Sequence, residues 1–383
     1  MNTKRFLAVL LSLAMLVTAL GGCQKAPPAS STAASSAPTS PVVSASTEAP
    51  KPEKIMFTDS CGREVELPST LTRIAPSGAA AQMILYSVAP DALMGWSSLP
   101  SKQTLAYFPE KFATLPEFGQ FYGKNVSLNM ESLIAANPQV IIDLGDKKPT
   151  HKEDMDAIQQ QTGIPTIFIE ANLATFPTAY RTLGTLLGAS EQGEKLATYL
   201  EKTINEAKTN AAKIPDAERI TVFFGAGKTG LDANARGSIH ADVIDLIGAV
   251  NAVVVPEISN KGGGNTINME QLLNFDPDVV LLMPNGPFST LGTDTTWSGL
   301  RAIKDNKFYE IPSGPYNWMS SPPSVNRILG IKWLGNLLYP TIYSYDMADA
   351  AKEFYQLFWH YDLKDEQVTE LLKNSTAKAH SVA

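Results

Sequence analysis

A fourteen-residue segment of this chain occurs twice. Asn129-Met-Glu-Ser-Leu-Ile-Ala-Ala-Asn-Pro-Gln-Val-Ile-Ile returns 139 residues later as Asn268-Met-Glu-Gln-Leu-Leu-Asn-Phe-Asp-Pro-Asp-Val-Val-Leu, with Asn, Met, Glu, Leu, Pro and Val coinciding without a gap. Each copy reads as a short helix with an Asn near its start and a Pro stop, followed by a buried strand. The chain is therefore expected to hold two similar α/β lobes.

The rest of the chain fits that frame. Apolar runs ending in Gly, Pro or Ser read as buried strands at Arg73–Pro76, Ala92–Gly95, Val140–Leu144, Thr166–Ile169, Ile220–Phe224, Val279–Met283 and Phe308–Pro312, with helical patterns between them. Such alternation argues for α/β layers with mostly parallel sheets. Between the repeats, Leu196, Leu200, Ile204 and Ala207 stand at helical spacing, with no Gly or Pro after Gly193. About 22 residues there make a helix on the order of 30 Å long, enough to join both lobes and restrict hinge opening. Pro322–Leu338 and Asp346–Trp359 read as amphipathic helices packing back on the second lobe.

The start of the chain is different in kind. Met1–Gly22 has a basic head, Lys4 and Arg5, then an uncharged, largely apolar run from Phe6 to Leu20, ending in Leu20-Gly21-Gly22-Cys23. This is the layout of a secretory signal, too short to span a bilayer as a stable helix. The cysteine after Leu-Gly-Gly resembles a bacterial lipobox, which implies acylation of Cys23 as the first mature residue. Gln24–Pro52 is almost entirely Ala, Ser, Thr, Pro and Val and reads as a flexible tether. The expected organisation is a signal at 1–22, a lipid-anchored tether at 23–52, a first lobe at 53–190, a connecting helix at 191–213, and a second lobe with C-terminal helices at 214–383.

Charge and cysteine count narrow the function. With 31 Lys+Arg against 38 Asp+Glu the net charge is -7, and loss of Lys4 and Arg5 with the signal leaves 29 basic groups and a net of -9. No basic field exists to steer nucleic acid. With 44% hydrophobic residues the chain can bury a core. Cys61 is the only cysteine besides Cys23, so no disulfide framework is possible, and Cys61 is expected as an unpaired buried thiol.

Taken in order, the lipobox, the opening Phe57-Thr-Asp-Ser-Cys-Gly-Arg-Glu-Val-Glu-Leu-Pro-Ser-Thr-Leu-Thr-Arg-Ile, the paired Asn-Met-Glu segments and Gly237-Ser-Ile-His-Ala-Asp-Val-Ile-Asp-Leu-Ile-Gly-Ala-Val-Asn-Ala resemble the substrate-binding lipoproteins of ABC importers for iron-siderophore, haem and cobalamin. The likeness runs from Lys54 to about Leu372. It implies a bilobal clamshell with a rigid helical backbone, monomeric and held outside the cell membrane by lipid. It implies a metal-chelate or tetrapyrrole ligand in the cleft: ferric siderophore first, then corrinoid, haem or a nickel or cobalt chelate. It also implies delivery to a membrane permease driven by an ATPase, with no catalysis and no resident cofactor. In the family one exposed glutamate per lobe pairs with permease arginines, and Glu131 and Glu270 match that position. An acidic residue in a first helical turn is also favoured by the helix dipole alone, by a few tenths of a kcal/mol; that accounts for each glutamate singly but not for the pair.

Ligand contacts are expected from loops at the carboxyl ends of strands. In the first lobe these carry Ser77, Trp96 and Lys148, with an aromatic-rich loop ending at Tyr122. In the second they carry Arg236, His240, the glycine loop 260–264, Tyr316 and Trp318. Trp96, Tyr122, Tyr316 and Trp318 are candidate walls for a planar ligand, and each has the alternative of packing its own loop. Arg236 is the candidate cation for an anionic chelate, or else a solvated charge. His240 either ligates a chelated metal or caps a helix. Arg327 either reaches the cleft or bridges to an acidic neighbour. His151, His360 and His380 are scattered without a cluster that would build a metal site.

Two motifs are rejected. Gly225-Ala-Gly-Lys-Thr-Gly follows a strand, but loop rather than helix follows it, and Val222 stands where a Walker A motif has its first Gly. No Gly-x-Ser-x-Gly elbow exists, and Ser320-Ser-Pro-Pro reads as a helix start. A surface enzyme using the same cleft would need a convergent acid/base pair, of which no spacing gives a sign. A ligand-sensing lipoprotein is the remaining alternative.

Overall fold

A computed structural model of the chain describes residues 53–122, 126–259 and 263–377. The expected signal, Cys23, the tether, His380 and 260–262 of the glycine loop lie outside the described residues.

The first lobe begins with an antiparallel hairpin, β1 (Lys54–Thr58) and β2 (Glu64–Pro68), which the strand reading had not marked. Asp59 closes its turn: the carboxylate accepts the backbone N–H groups of Cys61 and Arg63, each at 2.9 Å. The Arg63 guanidinium then donates to Asp59 and to the Thr166 carbonyl, fastening the hairpin to the lobe. Cys61 is half-buried in this turn rather than fully buried, and burial followed by the Asp59 charge pushes its thiol pKa up.

The lobe continues through β3 (Ile74–Pro76), α1 (Ala79–Val88), α2 (Lys102–Leu105), α3 (Met130–Ala136), β4 (Val140–Gly145), α4 (His151–Thr162), β5 (Thr166–Glu170) and α5 (Phe176–Leu186). Its sheet is parallel, in the order β3-β4-β5. The expected strand at Ala92–Gly95 is only a single bridge, Leu93 to Ile74.

The connecting helix α6 spans Ser190–Ala211. It crosses α5 where two glycines meet: a Cβ on Gly193 would stand 2.7 Å from both the Gly184 Cα and the Tyr180 carbonyl. The contact between the helices is thus set by the absence of side chains at these two positions.

The second lobe contains β6 (Thr221–Ala226), β7 (Asp232–Ala233), α7 (Asp242–Leu246), β8 (Val250–Asn251), β9 (Asn265–Thr266), α8 (Met269–Phe275), β10 (Val279–Leu282), α9 (Phe288–Leu291), α10 (Arg301–Lys304) and β11 (Phe308–Glu310). Central β10 pairs in parallel with β6 and β11, β8 pairs in parallel with β6, and β7 and β9 extend the sheet antiparallel. Both sheets are covered on both faces. Val140 and Ile142 face one apolar cluster and Ile141 another, just as Val222 and Phe224 are divided from Phe223. Burial on two faces is why these strands read as continuous apolar runs instead of alternating ones.

Three helices close the chain: α11 (Arg327–Leu338), α12 (Met347–Phe358) and α13 (Asp365–Leu372). Helix α12 is amphipathic as expected and α11 does pack on α7 of the second lobe, but α11 is not amphipathic and α12 also meets the first lobe. Helix α11 is buried from Arg327 through Gly335, wedged against α6, α7 and α12. Helix α12 reaches back to α1 of the first lobe, where the Tyr86 hydroxyl donates to the Trp359 carbonyl at 3.3 Å. Among the described residues no helix is long and apolar enough to cross a membrane.

Candidate functional site

Parallel β3 and β4 end side by side, and their last residues start a buried polar network. Asp143, in the otherwise apolar β4, accepts the Ser77 hydroxyl on Oδ1 and the Tyr122 hydroxyl on Oδ2, the latter at 2.6 Å. His151, the first residue of α4, lies with Nε2 at 3.0 Å from the Tyr122 oxygen and 3.4 Å from Asp143 Oδ2. Its Nδ1 accepts the backbone N–H of Lys148 at 2.8 Å, which places the imidazole proton on Nε2, toward the carboxylate. The ring also stacks on Phe168, centroids 4.1 Å apart. Ser77, Asp143 and His151 are all buried. Only Tyr122 is half-exposed, with the Lys148 ammonium 5.5 Å from its ring centroid. Burial, and then the Asp143 charge, push the phenol pKa well above its ordinary value, so Tyr122 stays a neutral donor.

The second lobe brings a different set toward its boundary with the first lobe. His240 Nδ1 lies 2.5 Å from the Ser320 hydroxyl. Arg327, at the start of α11, donates to the Asp242 carboxylate and, at 3.0 Å, to the Ile239 carbonyl, with its guanidinium 5.7 Å from the ring centroid of Phe176 in the first lobe. Arg327 Nη2 and Asp242 Oδ1 are buried without a hydrogen-bond partner among the described residues. The lobes touch here directly: Ser324 Oγ donates to the Ala80 carbonyl at 3.1 Å, and Gln82 Nε2 to the Tyr316 hydroxyl at 3.4 Å.

Asp242 is the most perturbed carboxyl at this boundary. Burial pushes its pKa up to about 6, Arg327 opposes this, and Asp146 from the first lobe adds to it. The unfolded value is about 3.9. The folded chain therefore holds a proton that the unfolded chain has lost, so this group's contribution to stability is complete below about pH 4 and lost as pH rises through about 6. In urea melts, the wild-type chain is expected to lose stability relative to Asp242→Asn between those two pH values. Parallel curves would show an ordinary carboxyl.

The expected site residues divide into three groups. Ser77, Tyr122 and Lys148 do come together, with Ser77 acting through Asp143. Asp143 and His151 complete that group and were missed; the one usable sign was an Asp inside an apolar strand, a buried charge that needs partners. His240, Tyr316 and Arg327 lie on the second-lobe side, His240 and Arg327 buried and Tyr316 at the lobe junction. Arg236 is exposed and donates two bonds to the Asn251 carbonyl.

Trp96 and Trp318 are corrected: neither is a wall. Trp96 is completely buried among Tyr86, Phe108 and Phe112, its Nε1 donating to the Phe112 carbonyl. Trp318 is 2% exposed, with Nε1 3.5 Å from the Tyr355 hydroxyl. The rejected glycine motif is a hairpin turn from β6 into β7, with Gly227 and Gly230 at φ +74° and +72°. Two surface concavities, about 450 Å³ beside α6 and about 410 Å³ beside α13, lie away from the charged groups of the lobe boundary.

Glu131 and Glu270 stand apart from these groups, exposed in the first turns of α3 and α8. The two helices repeat in detail. Asn129 and Asn268 cap their starts through their side chains, and Asn137 and Asp276 end them in the left-handed conformation at φ 48° and 37°. Arg73 and Arg301 donate to the carbonyls of Asn137 and Asp276 respectively. Leu133 and Leu272 are the buried anchors.

A family model described as periplasmic binding protein matches residues 81–315 of the chain. Among curated proteins, the high-affinity heme uptake system protein IsdE of Staphylococcus aureus is 21% identical over 217 residues, 54% of this chain and 70% of the relative. Among solved structures, an ABC transporter solute binding protein from Sulfurospirillum deleyianum has a TM-score of 0.76 and 29% identity, covering 83% of this chain and 99% of the other. The molybdate periplasmic binding protein MolA of Haemophilus influenzae, bound to molybdate, has a TM-score of 0.66 and 18% identity, covering 81% and 99%.

Proposed function

The chain belongs to the periplasmic binding protein family, and from that membership we propose that it is the capture component of an ABC importer for a metal chelate. The observation that carries the reading is the set of polar side chains at the boundary between the lobes. One lobe offers a half-exposed tyrosine held rigidly by a buried carboxylate, with Lys148 over its ring. The other holds, beneath its surface, Arg327 and Asp242, which each keep a buried hydrogen-bonding atom without a partner among the described residues. Paired donors and cations on opposite walls suit an anionic cargo that both lobes grip at once.

Tyr122 and Lys148 on one side, and Arg236 and Tyr316 on the other, are the ligand contacts in this reading, with Ser77 positioning Tyr122 through Asp143 and the buried His240 and Arg327 supporting the second-lobe wall. Any metal in the cargo arrives already chelated in this reading. Ferric siderophore stands first, with haem, corrinoid and a nickel or cobalt chelate beside it. The chain is anchored outside the cell membrane by lipid on Cys23, with 1–22 removed as signal, 23–52 as tether, and lobes at 53–190 and 214–383 joined by the connecting helix α6. Glu131 and Glu270 dock it on its permease.

Purified Lys51–Ala383, one compact unit, is expected to bind at least one of ferric siderophore, haemin, corrinoid or nickel-histidine. A visible spectrum with metal analysis, followed by titration of each chelate, separates them. Saturable binding of none, or turnover of any, would sink the reading.

A further inference from the structure

Leu133 and Leu272 face inward on α3 and α8, and the residue after each faces out. Ile134 is 61% exposed and Leu273 41%. A single exposed apolar residue is ordinary. These two are different because they occupy the same place in the repeat, three residues after Glu131 and Glu270, with the intervening caps and anchors also repeated. Three residues is the spacing at which helical side chains share a face. Each lobe thus presents one carboxylate beside one large apolar side chain, on a short helix held at both ends.

The fold does not require this. Inward packing is supplied by Leu133 and Leu272, and the helix ends are satisfied by Asn129, Asn268, Arg73 and Arg301. Two side chains on separate helices also offer far too little area for a stable dimer of this chain, which needs on the order of 1,000 Å². They suit a transient partner that carries the same site twice, apolar at its centre and basic at its edge.

We propose that Ile134 and Leu273 are the apolar halves of two equivalent docking knobs, each seated beside its glutamate in a shallow apolar site with a basic rim on the importer's membrane permease. This rests on the docking role proposed for Glu131 and Glu270. The carboxylate steers and orients, and the apolar neighbour supplies contact that salt does not screen.

The test measures binding of the full chain to its permease and ATPase complex in nanodiscs, at low and high salt. Ile134→Ser with Leu273→Ser is expected to weaken binding about tenfold per residue, at both salt concentrations. Ile134→Leu with Leu273→Ile should stay within about twofold of wild type, since volume and apolarity are kept. Glu131→Ala with Glu270→Ala should weaken binding mainly at low salt. If the serine pair binds like wild type while the alanine pair fails, the apolar role is overturned and the docking role of the glutamates stands. If both bind like wild type, the docking reading falls and this inference with it. If the serine pair instead loses affinity for nanodiscs of lipid alone, or sediments as a smaller species than wild type, the patch serves the membrane or self-association and the assignment is overturned.

Discussion

Asp143→Ala is expected to destabilise the chain by about 3–5 kcal/mol, the cost of removing one partner from a buried charged network. The carboxylate takes donors from Ser77 and Tyr122 and faces His151 Nε2, and Ser77, Asp143 and His151 are buried where water cannot replace it. Asp143→Asn keeps the shape but turns one oxygen into an amide donor facing another donor, so its cost should be smaller but still above about 1 kcal/mol. Tyr122→Phe removes one donor to a carboxylate that keeps two other partners, at about 1 kcal/mol. Equilibrium urea unfolding of the three variants decides. An Asp143→Ala loss under about 1 kcal/mol would mean that the group is solvated and that Tyr122 is not held by it. The Tyr122→Phe and Asp143→Asn losses should also fail to add, because the two residues share a bond.

How much of this network was visible beforehand depends on range in sequence. The repeat, the strand runs apart from Ala92–Gly95 and the connecting helix are local patterns, and they appear at or near their expected places; α6 spans Ser190–Ala211 against an expected 191–213. Asp143, His151, Tyr122 and Ser77 converge only because β3 pairs with β4, and α4 begins directly above β4's end. No spacing announces that. Trp96 and Trp318 were misread for a related reason. An aromatic in a loop looks the same whether it faces a crevice or is covered, and what covers Trp96 includes Phe108, itself packed against Trp359 from the far end of the chain. The contact of α12 with α1 of the first lobe is not legible beforehand, because apolar periodicity specifies a buried face but not its partner. In α11 it failed even there, since a strut packed on all sides has no polar face to reveal.

Reversing both glutamates, Glu131→Lys with Glu270→Lys, is expected to reduce permease-dependent uptake at limiting ligand by about 100-fold or more. A like charge facing a basic site costs several kcal/mol at an interface, and here the penalty falls twice. Within the free chain the change should be nearly silent. Both side chains are exposed, and each forfeits only a few tenths of a kcal/mol of interaction with its helix dipole. Melting temperature and chelate affinity should therefore stay near wild type while uptake collapses, a combination that a folding defect cannot produce. Raising ionic strength should narrow the gap between variant and wild type, because the repulsion between exposed charges is screened within about 10 Å at 0.1 M salt. Because α3 and α8 are matched at both ends, each single reversal should cost about half of the double effect in free energy. Undiminished uptake by the double variant would remove the docking role altogether. A loss confined to one of the two positions would mean that the repeat reflects only common descent of the lobes, and that a single lobe engages the permease through its glutamate.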